Sequence, residues 1–147
     1  MPKRIMLVDD ESELTDLLAE FFRAHQWEVG IAVNGKQAIE NLQQFSADVI
    51  VADIKMPVMD GLELLDMLIL SESETPVIFL SGFRNGPQMQ QAWEQGAFDF
   101  MDKPVDMKML LASAERAYKF GRDYVQIARR RLPESYLFSC RSRIKGS

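Results

Sequence analysis

Residues 48–53 read DVIVAD. Four consecutive Val, Ile and Ala residues leave no polar face, and an aspartate stands at each end. A strand with one face in water alternates apolar and polar residues. An unbroken apolar run of this length is what a strand buried on both faces looks like, as in a parallel sheet covered by helices. Two other stretches read the same way: RIMLV (4–8), which ends at Asp9-Asp10, and PVIFLS (76–81). WEVGIAV (27–33) and AFDFM (97–101) complete a set of five strands.

Helical patterns fall between these strands. Leu14, Leu17, Leu18, Phe21 and Phe22 recur at one-face helical spacing, with Ser12 as the expected N-cap. Asn34-Gly35 signals a turn before a helix marked by Ala38, Leu42 and Phe45. MPVMDG (56–61) is a loop, and Gly61 to Leu70 reads as a third helix. A fourth lies near Gln88–Gln95. Asp106 is expected to cap a fifth that runs to about Lys119. Strand and helix alternate five times, which predicts an α/β domain with a doubly wound parallel sheet.

The chain has 147 residues, 47% apolar and 27% charged, values of an ordinary single globular domain. No apolar window is long enough for a membrane span, and the run before Asp9 is too short for a signal-peptide core, so no membrane and a cytoplasmic location are expected. Cys140 is the only cysteine, which excludes an internal disulfide, and it reads as an incidental thiol in a polar tail. Net charge is −5 but divides sharply: Lys119–Ser147 holds eight Lys/Arg and two Asp/Glu, a net of +6, against −11 for the rest. An acidic body argues against nucleic-acid binding by that body.

In such folds ligands sit beyond the carboxyl ends of the strands. Asp9 and Asp10 end the first strand, Asp53 the third and Ser81 the fourth, and Lys103 lies just past the fifth. Three carboxylates in one crevice repel one another, so either their pKa values rise or a cation neutralises them. There is no His/Cys cluster for zinc. An all-oxygen site with room for water suits Mg²⁺. An aspartate can also attack phosphorus and form an acyl phosphate, given a metal and donors for the remaining phosphoryl oxygens. Asp53 is then a candidate acceptor, Asp9 and Asp10 candidate metal ligands, and Ser81 and Lys103 candidate phosphoryl-oxygen partners.

LVDDE (7–11), VADIKMPVMDG (51–61), FLSG (79–82) and DKP (102–104), in this order and spacing, resemble the receiver domain of bacterial two-component response regulators. The resemblance covers about residues 3–120. It implies a flavodoxin-like fold, with a five-stranded parallel sheet of order 2-1-3-4-5 between five helices. It implies a phosphorylation-activated signalling switch: Asp53 accepts a phosphoryl group from a sensor histidine kinase or phosphotransfer protein. Mg²⁺ is held by Asp9, Asp10, Asp53 and the Lys55 backbone carbonyl, and the phosphoryl oxygens by Ser81 and Lys103. Ser81 and Phe100 would move together, so that the face made by the fourth helix, fifth strand and fifth helix is read by a downstream protein or an output domain. Pro57 and Gly61 shape the loop after Asp53, and Pro104 is expected in a cis bond. Lys55 and Phe83 stand at the two variable positions that tune phosphate lifetime. Ser81 replaces the commoner threonine, and Phe100 the frequent tyrosine; Phe100 also reads as plain core.

Other functions read less well. A phosphorylation-independent scaffold has no need of all five site residues. A Mg²⁺-dependent phosphatase wants two aspartates one residue apart after the first strand, where this chain has Asp9 and Asp10 adjacent. The domain is therefore expected to be no enzyme beyond its own phosphorylation and dephosphorylation. Residues 121–147 read as a basic extension: a continuation of the fifth helix, a linker or a disordered tail. Leu111, Tyr118, Val125 and Leu132, spaced by seven, would let that extension form a homodimeric coil, interrupted at Gly121 and ended by Pro133.

Overall fold

The computed structural model describes residues 2–82 and 86–145, so Phe83 lies outside the described residues. Five strands, β1 (Lys3–Val8), β2 (Trp27–Ala32), β3 (Val49–Asp53), β4 (Val77–Ser81) and β5 (Asp99–Asp102), form one sheet in the order β2-β1-β3-β4-β5. Every pairing is parallel. Helices α1 (Ser12–Ala24), α2 (Gly35–Leu42), α3 (Gly61–Leu70), α4 (Gly86–Glu94) and α5 (Met107–Arg130) connect or follow them, and a sixth, α6 (Glu134–Lys145), comes last.

The apolar runs supply two cores at once, because successive strand side chains point to opposite faces. Ile5, Leu7, Val49, Val51, Ile78 and Leu80 pack with Leu18 and Phe22 of α1 and Leu110 and Ala114 of α5. Met6, Val8, Ile50, Ala52, Val77 and Phe79 pack on the other face with Ala38 of α2, Leu64, Leu65 and Leu68 of α3 and Ala92 of α4. Each fully buried Val, Leu or Ile contributes about 1.5–3 kcal/mol. A polar substitution in β1, β3 or β4 therefore damages one core or the other.

Helix starts mostly follow their caps. Asn34 accepts the Gln37 N–H at 2.9 Å, so Asn-Gly opens α2 directly. Asp60 and Glu63 form a capping box at α3. Asp106 accepts from the Met109 N–H at 3.1 Å. The exception is α1, where Ser12 is already helical and Glu11 is the cap, with no side-chain bond. The cause is Asp9, whose carboxylate takes the Glu11 N–H at 2.9 Å and sets the turn itself.

Among the described residues, the chain after Lys119 is mostly helix: α5 continues to Arg130 and α6 covers Glu134–Lys145. Gly121 does not break α5. It is buried where the helix crosses Pro76, and a β-carbon there would stand 2.4 Å from the Pro76 ring. Val125 is buried and Leu132 packs on the α3-side core. With Leu111, which packs on the core between the sheet, α1 and α5, three members of the seven-residue seam thus face the domain's own interior. Helix α6 folds back onto α3. It carries no clear apolar periodicity because its most deeply buried contact is polar, as described below.

Candidate functional site

Parallel pairing brings all strand ends to one rim, and register decides which residues meet there. Val8 is paired with Ala52, so the next residues, Asp9 and Asp53, stand side by side. Asp53 is paired with Leu80, and Ser81 with Asp102, which brings Ser81 and Lys103 to the same rim. Strand β1 leads into α1 on one face and β3 leads into α3 on the other, so the chain diverges between them. That is the switch point where such sheets bind ligands.

Asp9 and Asp53 are buried, 4% and 7% exposed, while Asp10 is open to solvent. One carboxylate oxygen from each lies within 4.8 Å of the others. The Lys103 ammonium donates to Asp9 Oδ2 at 2.9 Å, Asp53 Oδ2 at 3.0 Å and Glu11 Oε1 at 2.8 Å. Its backbone N–H donates to the Ser81 carbonyl at 2.8 Å, which fixes the lysine against β4. The Lys103–Pro104 bond that follows is cis. Ser81 is buried at the end of β4. The Lys55 N–H reaches Asp53 Oδ1 at 3.3 Å.

Burial raises the Asp9 carboxyl above its usual range, and the Asp53 charge adds to this; the Glu11 N–H and Lys103 oppose it. For Lys103, burial alone would lower the ammonium, but its bonds to Glu11, Asp9 and Asp53 outweigh that and the net shift is upward. Lys103 therefore remains charged. Three carboxylates plus Glu11 against one ammonium leave the site net negative.

The loop after Asp53 is held tightly. Gly61 N–H donates to the Ile54 carbonyl at 2.9 Å. A β-carbon on Gly61 would stand 2.4 Å from the Asp53 carbonyl oxygen, so only glycine lets α3 start this close to β3. Pro57, Val58 and Met59 make a γ-turn: the Met59 N–H bonds the Pro57 carbonyl at 2.8 Å, with Val58 at φ +71°. That region is strained for a β-branched residue, and Val58 is well exposed, with no burial to account for it. Asp10, Lys55, Met56, Pro57, Asp60 and Gln88 line an open depression beside the carboxylates. Phe100 lies on β5, half-buried, its ring 6.3 Å from Phe79 and against the α3-side core.

All five residues expected at the rim converge on it. A sequence model of the response regulator receiver domain matches residues 5–115. The chain belongs to this family. The transcriptional regulatory protein TrcR of Mycobacterium tuberculosis is 36% identical over 111 residues, covering 76% of this chain and 43% of TrcR. The regulatory protein AtoC of Escherichia coli is 34% identical over 114 residues, covering 78% of this chain and 25% of AtoC. The chain thus spans less than half the length of either relative. Among solved structures, a Francisella response regulator receiver domain superposes with a TM-score of 0.75 at 28% identity, covering 81% of this chain and 98% of its own.

The receiver domain's helix α6 lies beyond the family match. Among the described residues, no helix is long and apolar enough to cross a membrane. Glu11 was not singled out from the sequence. Its place in LVDDE, next to two site aspartates, was the available signal.

Proposed function

We propose that this receiver domain is a phosphorylation-controlled signalling switch with Asp53 as the acceptor. The observation that carries this reading is the ammonium of Lys103 bridging Asp9 and Asp53 at the switch point of the sheet. A structural ion pair needs one carboxylate, whereas this lysine serves two buried ones and an exposed third.

The donor set fits Mg²⁺: it is all oxygen, compact and open to water on the Asp10 side. Asp9, Asp10, Asp53 and the Lys55 carbonyl would hold the ion. When bound, it neutralises charge on the phosphoryl group as it transfers. Asp53 Oδ attacks phosphorus, a new O–P bond forms, and the bond to the donor breaks, with its electron pair leaving on the donor. Lys103 and the Ser81 hydroxyl take phosphoryl oxygens. About two negative charges then sit on a formerly paired carboxylate. Ser81 is drawn toward them, and Phe100, already against Phe79, turns further in. The α4–β5–α5 face changes accordingly, as far as the phosphoryl group's differential contacts allow.

The kinase or phosphotransfer protein that supplies the phosphoryl group, a cytoplasmic location and a downstream output complete the reading. The regulatory names of the similar proteins support it. The test is intact mass after incubation with Mg²⁺ and acetyl phosphate. One phosphoryl group on the wild type and none on Asp53→Asn is the expected result. No gain on the wild type, with a kinase donor failing as well, would overturn the proposal.

A further inference from the structure

Beneath α6 lies a polar cluster that the switch site does not use. Asp66 of α3 is only 1% exposed. Its carboxylate accepts from Arg143 Nε at 2.9 Å and Arg143 Nη2 at 2.8 Å, and from the Cys140 thiol at 3.3 Å. It also accepts from the side-chain amide of Gln95, the residue after α4, itself fully buried. One carboxylate therefore ties α6 to both α3 and the end of α4.

This attachment has the make-up of a reversible one. Its apolar hold is small: Tyr136 packs on the α3-side core and Cys140 is buried, but Leu137 and Phe138 of α6 are 38% and 72% exposed. It also leaves polar atoms unsatisfied. Among the described residues, Gln95 Oε1 and Arg129 Nε are buried with no hydrogen-bond partner. Water would satisfy both if α6 left, which offsets part of the loss of the ion pair.

The elements it grips are two of those that leave the phosphorylation site. Helix α3 begins against the Asp53 carbonyl, and α4 follows the strand that ends at Ser81. A shift of α4 relative to α3 pulls Gln95 off Asp66 and weakens the point where Arg143 docks. We propose that α6 is a latch that is docked when Asp53 is unmodified and released when Asp53 is phosphorylated. This rests on the phosphorylation reading given above. Release would uncover the inner residues Tyr136 and Cys140 and free a basic helix for a partner.

Cys140 is a built-in reporter, being the only cysteine in the chain. Burial and the bond to Asp66 push its thiol up to about 11, so the docked form resists alkylation. The full chain is incubated with Mg²⁺ and acetyl phosphate and pulsed with iodoacetamide. Phosphoryl and alkyl adducts are then counted on the same molecules by intact mass. Phosphorylated molecules should alkylate roughly 5- to 150-fold faster than unmodified ones, the range of ordinary coupling between sites. Asp53→Asn should show no acceleration. Arg143→Met should alkylate fast with or without acetyl phosphate. Phosphorylated wild type that alkylates no faster than unmodified protein overturns the latch while leaving the acceptor reading standing. Wild type that takes up no phosphoryl group overturns both.

Discussion

Replacing Lys103 with methionine keeps the length of the side chain and removes its charge. Two buried carboxylates then face each other without a counter-ion. Their oxygens lie within 4.8 Å, so the repulsion is at least about 3.5 kcal/mol at an effective dielectric near 20. The attractions at 2.9 and 3.0 Å are lost as well, although the ammonium no longer has to be desolvated. Protonation sets a ceiling. Holding Asp9 neutral at pH 7, against its ordinary 3.8, costs about 4 kcal/mol. The expected loss is therefore about 2–4 kcal/mol without divalent metal, or roughly 5–15 °C in Tm for a chain of this size. Magnesium should repair it. At about 100 times Kd a ligand stabilises by about 2.7 kcal/mol, and the variant offers it a site with no competing ammonium. Urea unfolding followed by the fluorescence of Trp27 and Trp93, with and without Mg²⁺, should show the gap between wild type and Lys103→Met shrinking to half or less when metal is added. Equal stabilities without Mg²⁺, or a gap that Mg²⁺ leaves unchanged, would refute the reasoning.

Gly61→Ala places a methyl 2.4 Å from the Asp53 carbonyl oxygen; a loss of about 1–3 kcal/mol in denaturant unfolding and slower phosphoryl uptake by intact mass are expected. Phe100→Ala removes a half-buried ring 6.3 Å from Phe79; phosphoryl uptake should survive, while the phosphorylation-dependent change in amide exchange over α4 and α5 should be lost. Cys140 has a folded pKa raised, chiefly by burial, from 9.0 to about 11, so its contribution to stability is complete below pH 9 and is lost as pH rises through about 11. Wild type should lose more stability than Cys140→Ala across that window in thermal melts.

The sheet and the site were legible for one physical reason. In a parallel sheet the hydrophobic runs must be continuous, so DVIVAD, RIMLV and PVIFLS declare themselves, and polar residues stand out where the runs end. Asp9, Asp53 and Ser81 are at those ends, Lys103 lies just past β5, and the register that pairs Val8 with Ala52 does the rest. The cap at Asp106 was legible, where a side chain bonds the helix, while the start of α1 was misplaced by one residue at Ser12, where the carboxylate of Asp9 sets the turn instead, and the Asp60 capping box went unread. The far end of the chain was not legible. Gly121 looks like a break, yet it is a close crossing over Pro76. Helix α6 has no apolar stripe because its partner is the buried charge of Asp66, and a lone cysteine and arginine in a basic stretch give no sign of that. Periodicity reports burial of apolar surface and is silent about a helix held by an ion pair.

The central claim is that Asp53 is the residue that carries the phosphoryl group. Acyl phosphates react with hydroxylamine, which leaves a hydroxamate on the carboxylate that held the phosphorus. After incubation with Mg²⁺ and acetyl phosphate, hydroxylamine treatment and peptide mapping should find a hydroxamate at Asp53 and none at Asp9 or Asp10. A hydroxamate at either of those two, or phosphoryl uptake with none at Asp53, would contradict the account.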